Sequence, residues 1–277
     1  MAVSMVGCSD LLGFDDYADG SGSSAASGVG GAGVGGAGTN ASSAGVTGGA
    51  ASSSGNGGTA GAGAAYFSVV MADDPVAYWR LNESMALEPA QDLANDYDGV
   101  YLGGITFGKS ALVDGEMDGA VRLDGGEGSR IEVEDDLDFA SKAPFSIEAW
   151  IKLETVKTAY IVHKMTNDSS LNGYELLVDE LGITFARWNY GSPASAELHI
   201  PVSVANVHHV VGAYDGTQLC AYLDTEPLCV PDGLELINSD VPLYLGQSLE
   251  GVLDEVVIYN GALPQARVIA HYQAGIR

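Results

Sequence analysis

The sequence predicts an all-β fold, an antiparallel β-sandwich with a short C-terminal helix, preceded by a disordered Gly/Ala/Ser linker. Three observations support this. Residues 20–65 contain only Gly, Ala, Ser, Thr, Asn and Val, which bury too little apolar surface to fold. Across 66–277, short alternating apolar runs recur every 8–12 residues, as they do in sandwiches. The stretch 207–230 has the turn signals of two antiparallel hairpins.

The same contrast in composition divides the chain into three parts. We expect 1–19 to be a truncated signal or lipobox-like amino terminus, 20–65 to be the linker, and 66–277 to be one folded domain. About 210 residues are enough for a single all-β domain with a sizeable core. A flexible linker of this length reaches about 35–40 Å root-mean-square, so it would hold the domain away from a surface.

The strands are predicted from alternating apolar residues and the turns between them. In Phe145–Leu153, the longest signal, Glu148 and Trp150 lie on the face opposite the apolar residues. Pro264 suits the first position of a closing helix that reaches about Tyr272. The other predicted strands are 75–81, 99–102, two that flank the glycine-rich turn within 120–133, 160–164, 173–178, 182–188, three within 207–230, 243–246 and 252–259.

Two of the three cysteines lie in the predicted hairpins. A two-residue turn at 224–225 would place Pro227 opposite Tyr222 and Cys229 opposite Cys220. Both pairs then occupy non-hydrogen-bonded positions, where proline has no N–H to lose and facing Cα atoms lie within disulfide range. The sequence therefore predicts the disulfide Cys220–Cys229 and maturation in an oxidising compartment.

The third cysteine, Cys8, follows a small residue near the amino terminus. This arrangement resembles a bacterial lipobox, although Met5 stands where leucine is usual and seven residues are too few for an export signal. We therefore expect the true start to lie upstream of Met1 and Cys8 to carry a lipid. No later segment approaches the ~18 apolar residues of a membrane span. The expected location is the cell envelope, as an outer-membrane or surface lipoprotein with only its lipid in the membrane.

The formal net charge of the chain is −26. All 11 basic residues follow residue 65, and only four of the 37 acidic residues precede residue 20, so the folded domain itself is strongly acidic. Such a surface repels phosphate backbones, and we expect no nucleic-acid partner. The charge serves solubility or attracts cations.

Several segments taken together resemble the laminin-G-like jelly-roll family, which has the concanavalin A-like sandwich of lectin-type and adhesion modules. The resemblance extends over nearly all of 75–273, with Val207 standing where the family commonly has tryptophan. It implies a concanavalin A-like jelly-roll fold. The segments are Tyr-Trp-Arg-Leu (78–81), Ala-Val-Arg-Leu-Asp-Gly (120–125), Phe-Ser-Ile-Glu-Ala-Trp-Ile-Lys (145–152), His-His-Val-Val-Gly-Ala-Tyr-Asp-Gly (208–216) and Leu-Asp-Glu-Val-Val-Ile-Tyr-Asn-Gly-Ala-Leu (253–263).

Members of this family often carry one calcium ion. The resemblance implies Ca²⁺ ligands at Asp124 and Asp254, with main-chain carbonyls of 125–129 as further oxygens. Calcium prefers six to eight hard oxygen ligands, which this set could supply. We expect a structural calcium ion here. The alternative is that Asp124 caps a turn and Asp254 pairs with a base.

Related sandwiches include glycoside hydrolases, which need two carboxylates about 5–9 Å apart. Glu132 and Glu134 share a strand face, but the Glu-x-Asp-x-Glu pattern of the hydrolases with this architecture is missing. His208 and His209 are adjacent in a strand and point to opposite faces, so they cannot share a metal. We expect no catalytic residue and no enzymatic activity.

Binding is the remaining function class. Four aromatic residues could stack on sugar rings or could serve as core residues: Trp150, Tyr174, Trp188 and Tyr190. The resemblance and the tethered layout imply a non-catalytic module that recognises a glycan or protein ligand outside the cell. The alternatives are a polysaccharide-active enzyme on the same sandwich and a purely structural envelope protein.

Overall fold

The computed structural model describes residues 62–276, except 116–117, 167–169 and 199. Two helices and fifteen strands form within these ranges. They are α1 (Ala62–Met71), β1 (Pro75–Trp79), β2 (Gly99–Leu102), β3 (Ile105–Ser110), β4 (Gly119–Asp124), β5 (Arg130–Val133), β6 (Phe145–Leu153), β7 (Ala159–Met165), β8 (Gly173–Val178), β9 (Ile183–Asn189), β10 (Ser192–Leu198), β11 (His208–Tyr214), β12 (Gln218–Leu223), β13 (Glu226–Pro231), β14 (Leu243–Gln247), β15 (Glu250–Tyr259) and α2 (Gln265–Gly275).

The strands form two antiparallel sheets. Sheet A has the order β13-β12-β11-β6-β15-β4-β3, with β1 also paired to β15, and sheet B has the order β10-β9-β8-β7-β14-β5-β2. The main core lies between them and includes the predicted apolar face of β6. The structure therefore confirms the predicted all-β sandwich with a C-terminal helix.

The structure differs from the predicted elements in four places. Strands β3 and β10 were not predicted; both lie at sheet edges, where little burial leaves only a weak apolar pattern. Strands β4 and β5 flank the glycine-rich turn as predicted, and they belong to different sheets. Pro264 caps helix α2 and is not its first residue, and helix α1 begins at Ala62, within the segment assigned to the linker.

Both helices pack on the outer face of sheet A. Tyr66 and Val70 of α1, with Val268 of α2, join a second apolar cluster that also contains Trp150 and other outward-facing strand residues. Strand β6 is therefore buried on both faces. The alternation of apolar residues in β6 correctly predicted which side chains face the main core. The side chains on the opposite, more polar face are also mostly buried, because the helices cover them.

The carboxylate of Glu148 is the centre of a polar network beneath these helices. Its Oε1 accepts hydrogen bonds from Tyr66 Oη at 2.9 Å and His209 Nε2 at 2.7 Å. Its Oε2 lies 2.8 Å from both Tyr259 Oη and His271 Nδ1. The carboxylate thus joins β6, β11 and β15 to both helices, with four partners from four separate elements.

His271 continues the network toward the end of α1. Its Nε2 lies 2.7 Å from Asp73 Oδ2, and Arg267 Nε donates to the same oxygen at 2.8 Å. Both ring nitrogens of His271 therefore face carboxylate oxygens. Because a nitrogen can donate only when protonated, this arrangement requires the imidazolium form.

Burial opposes ionisation of Glu148. The charge interactions and hydrogen bonds that His271 and His209 make with the carboxylate outweigh this effect of burial and hold the pKa of Glu148 below its usual value. Burial likewise opposes the charged form of His271. The Glu148 and Asp73 carboxylates outweigh that effect and raise the pKa of His271. The two groups therefore stabilise each other's ionised form.

Glu148→Gln is expected to destabilise the domain by about 3–5 kcal/mol, because a glutamine oxygen cannot accept four hydrogen bonds and His271 loses its counter-charge. Urea denaturation measures this loss. Glu180→Gln, at an exposed residue, is the matched control and should change stability by less than about 0.5 kcal/mol. A loss below about 1 kcal/mol for Glu148→Gln would contradict the role of this network.

The pH dependence of stability follows from the two opposite shifts. The lowered pKa of Glu148 gives stability that is present above about pH 4.5 and is lost as the pH falls through the folded value. The raised pKa of His271 gives stability that is present below about pH 6.5 and is lost as the pH rises through the folded value. The midpoint temperature of thermal unfolding, measured from about pH 4.5 to about pH 6.5 and above, should fall on the alkaline side. His271→Gln should lack that decline, and an unchanged alkaline limb in the variant would rule out His271 as its source.

Candidate ligand-binding face

The outer face of sheet B, the side opposite the sandwich core, carries a row of aromatic and polar side chains. Across adjacent strands, Tyr244 of β14 pairs with Glu132 of β5 and with His163 of β7, and His163 pairs with Glu175 of β8. Trp188 of β9 lies diagonally next to Glu175. We call these residues, with Arg130 and Tyr160, the sheet-B face.

A β-bulge places Tyr160 and His163 on this same face. Tyr160 pairs with Leu177 and Val162 with Leu176, so Ile161 is an extra residue. Three residues apart on a regular strand, the two side chains would point to opposite sides. The extra residue restores them to one side, and the centroids of the Tyr160 and His163 rings lie 4.4 Å apart.

The rings bury a polar pair between them. His163 is 6% exposed and Glu175 is 4% exposed, although both point outward. Trp188 Nε1 donates to Glu175 Oε1 at 2.9 Å, and the Tyr244 ring is nearly parallel to the His163 ring at 6.4 Å. Burial and the negative charge of Glu175 raise the pKa of Tyr160.

This polar pair retains unused hydrogen-bonding capacity. His163 Nδ1 and Glu175 Oε2 lie 3.3 Å apart, and within the described ranges neither atom makes a hydrogen bond. Buried polar atoms are almost always hydrogen-bonded, so such a pair requires an explanation. In the described ranges each of these buried atoms has the other as its ion-pair partner, and the groups that a ligand could reach are the half-buried rings around them.

Charged side chains line one end of the face. Arg130 lies 4.8 Å from the centre of the Tyr244 ring and donates to Glu132 Oε2 at 2.8 Å. The guanidinium thus covers part of one ring while its charge is paired. The sheet-B face presents flat rings and hydrogen-bonding groups with little unpaired charge.

The predicted disulfide is present. Cys220 of β12 pairs directly with Cys229 of β13, and the two form a disulfide. Pro227 pairs with Tyr222 in the predicted register, and Asp224 begins the two-residue turn. The register reasoning from the sequence is confirmed at each of these positions.

The structure does not bring the two aspartates of the expected calcium site together. Asp124 pairs with Glu250 on β15, four residues from Asp254, which corresponds to roughly 13 Å along the strand. Asp124 Oδ1 accepts from Gly126 N at 2.9 Å and closes its own turn, and Asp254 Oδ2 accepts from Leu112 N at 2.7 Å. In the described part of the chain, no three His, Cys, Asp or Glu side chains form a metal-binding group. Calcium binding stays a prediction.

The four candidate aromatic residues have different environments. Trp150 is buried beneath the helices and Tyr174 in the main core. Tyr190 is 71% exposed in the turn between β9 and β10. Trp188 alone of the four belongs to the sheet-B face. The sequence analysis missed Tyr160, His163 and Tyr244. Because of the bulge at Ile161, strict alternation along β7 does not place Tyr160 and His163 on the same face.

The remaining predicted sites are placed as follows. Cys8 lies outside the described residues. His208 contacts Asp224 at 3.1 Å, whereas His209 contacts Glu148, so the adjacent histidines serve separate clusters, as expected. Neither described helix combines the length and the apolar character that crossing a bilayer requires.

Comparison with known families gives one match. A family model described as the concanavalin A-like lectin/glucanases superfamily matches residues 124–269, a little over half of the chain. No curated protein matches the sequence. The matched range runs from β4 into α2 and includes most of the sheet-B face.

Several solved structures share the fold. The binding domain of Paraclostridial Mosquitocidal Protein 1 is 17% identical, with a TM-score of 0.54 over 66% of this chain and 48% of that one. Domain 4 of AbnA, a GH43 extracellular arabinanase from Geobacillus stearothermophilus in complex with arabinotriose, is 16% identical, with a TM-score of 0.53 over 72% of this chain and 98% of that one. The binding domain of Botulinum Neurotoxin DC in complex with SialylT is 11% identical, with a TM-score of 0.54 over 73% of this chain and 51% of that one. The chain thus spans about half the length of the two toxin binding domains.

Proposed function

Because the chain belongs to the concanavalin A-like lectin/glucanases superfamily, we propose that it is a non-catalytic module that binds a glycan on the sheet-B face. The observation that carries the proposal is the row of half-buried rings of Tyr160, Trp188 and Tyr244 on one outward face, above the ion pair of His163 and Glu175. A protein ligand is the alternative that the test below separates from a glycan.

The chemistry of the face suits a sugar ring. A pyranose has an apolar face of C–H groups that packs on aromatic rings, and Tyr160, Trp188 and Tyr244 supply such rings. Its hydroxyl groups both donate and accept, and the partly exposed carboxylate of Glu132 beside Arg130 offers them an acceptor at the end of the row. A site built to hydrogen-bond hydroxyls discriminates strongly against ligands that lack them.

The packing of the helices supports the choice of face. Helices α1 and α2 cover the outer face of sheet A around Glu148 through the Glu148 network and the second apolar cluster. The outer rings of sheet B are only partly buried. The row of aromatic rings on sheet B is therefore accessible, which favours this face for stacking on a sugar.

The spacing of carboxylates supports a non-catalytic role. Glu132 and Glu175 lie in one row but are separated by β14 and β7, so their backbones are roughly 14 Å apart. Glycosidases hold their two carboxyl groups roughly 5–9.5 Å apart. This backbone spacing, and the hydrogen bonds of Glu132 with Arg130 and of Glu175 with Trp188, favour the binding role.

Two of the similar structures were determined as complexes, the arabinanase domain with arabinotriose and the neurotoxin domain with SialylT, and the two toxin structures are named as binding domains. These ligands belong to those proteins. They support a binding role for this chain as an expectation of the shared fold, while its own ligand is to be found by experiment.

Export is part of the proposal. The disulfide Cys220–Cys229 supports maturation in an oxidising compartment. A lipid on Cys8 would tether the module to the cell envelope through the linker. Lipidation of Cys8 and structural calcium at Asp124 and Asp254 are separate expectations, and glycan binding on the sheet-B face depends on neither.

The test is a glycan array followed by calorimetric titration of the best ligand into three variants, Trp188→Ala, Tyr244→Ala and His163→Ala. Each should weaken binding by roughly tenfold or more, because a central ring or hydrogen-bonding group is lost. Tyr272→Ala, which removes a partly buried tyrosine from the helix side, is the matched control and should leave the affinity unchanged.

Three outcomes would contradict the proposal. If all four variants bound the glycan equally well, the site would lie elsewhere. If no array glycan bound but a protein were captured through Trp188, the face would be a protein-binding surface. Release of reducing ends from the bound polysaccharide would establish the enzyme.

A further inference from the structure

The pairing of basic residues singles out one place on the surface. Of the ten described lysine and arginine residues, eight form ion pairs with carboxylates. The side chains of the other two, Lys109 and Lys152, form no ion pair within 4.0 Å and no hydrogen bond in the described ranges. The pKa of Glu154, lowered first by its hydrogen bond with Arg122, is nevertheless lowered further by the charge of Lys109. In a chain of net charge −26, acidic partners are abundant, so two unpaired lysines are unexpected.

These two lysines line the same groove. It has a volume of about 350 Å³ and lies where β3, β4, β6 and β15 meet the loop before β11. Arg122 lies between them in the sheet, because Arg122 and Lys152 both pair with Val252. Three of the chain's few cationic side chains thus converge on one small concave surface.

The groove also has an apolar part and one carboxylate. Val204 and Val252 line it beside the charged residues, and Val204 is 49% exposed. Arg122 Nε donates to Glu154 Oε1 at 2.7 Å, so Arg122 orients Glu154 and its own charge is paired. The remaining charge of the groove comes from Lys109 and Lys152.

We propose that this groove binds the carboxylate of a sugar acid that ends an otherwise neutral glycan. Lys109 and Lys152 would hold the carboxylate through charge-assisted hydrogen bonds. The C–H face of the ring would pack on the valines, and its hydroxyls would donate to Glu154. The groove is separate from the sheet-B face, because Lys152, Arg122 and Val252 lie on strands of sheet A.

The overall negative charge of the protein limits how many acidic groups a ligand of this groove can carry. A polyanion would place most of its charges over the surrounding acidic surface, where repulsion opposes binding. A single carboxylate places its charge only between the two lysines. A ligand with one acidic group and a neutral remainder is therefore favoured over an acidic polymer or a nucleic acid.

The experiment uses the full chain and three ring-sized probes at low ionic strength, followed by saturation-transfer NMR and calorimetric titration. Methyl β-D-glucuronide should bind saturably. Methyl β-D-glucoside, which lacks only the carboxylate, should bind at least about tenfold more weakly. Cyclohexanecarboxylate, which keeps the carboxylate and ring without hydroxyls, should also bind more weakly than the glucuronide.

The variant is Lys109→Gln with Lys152→Gln, which should lower glucuronide affinity by about tenfold or more. The matched control is Lys142→Gln with Lys157→Gln, which removes the same charge from two lysines outside the groove and should change affinity by less than about twofold. Glucuronide binding that survives in this control but is lost in the Lys109/Lys152 variant locates the ligand in the groove and not on the sheet-B face, so failure of the one site and failure of the other are distinguishable.

The proposal is overturned if the glucuronide does not bind saturably, or if it binds no better than the glucoside. Equal losses of glucuronide affinity in the two double variants would mean that only net charge matters, and that result would also overturn the proposal. Cyclohexanecarboxylate binding as tightly as the glucuronide would reject the sugar acid as the ligand class.

Discussion

The contact of one buried carboxylate with two imidazoles holds the helical layer on this sandwich. Glu148 is fully buried and accepts from residues of β11, β15, α1 and α2, so the two helices and the strands below them share one charged centre. A buried charge is tolerated only when it is well paired, and here each partner depends on the others. This network holds the helices over the part of the outer face of sheet A that surrounds Glu148.

The two faces of the molecule therefore have different chemistry. Beneath the helices, Glu148 and His271 are fully hydrogen-bonded within the network, while His209 Nδ1 has no hydrogen bond in the described chain. On the sheet-B face, His163 and Glu175 form a comparable buried pair at 3.3 Å among half-buried aromatic rings. The same residue types thus support the helices on one sheet and a row of accessible rings on the other.

The local features of this fold could be predicted from the sequence. Alternation in β6 located its apolar face, and the positions of Pro227 and Cys229 fixed the register of the last hairpin. Both features depend on residues a few positions apart. The edge strands β3 and β10 were missed, since weak burial at an edge leaves little pattern to recognise.

The candidate sites depend on long-range contacts, and local patterns could not reveal them. Glu148 meets Tyr66, 82 residues before it, and His271, 123 residues after it. On β7, the single extra residue at Ile161 turns His163 toward Tyr160, which a regular strand period would separate. The lack of ion pairs at Lys109 and Lys152 is likewise visible only in the structure, where each of the other eight described basic residues contacts a carboxylate.

The protonation state of His271 tests the central claim most directly. With Nδ1 at 2.8 Å from Glu148 and Nε2 at 2.7 Å from Asp73, the ring must carry a proton on each nitrogen. Nitrogen-15 NMR of the histidine rings at neutral pH should show two protonated nitrogens for His271. A neutral His271 ring with one unprotonated nitrogen would contradict the account, because the carboxylate at the centre of the helical layer would then lack its counter-charge.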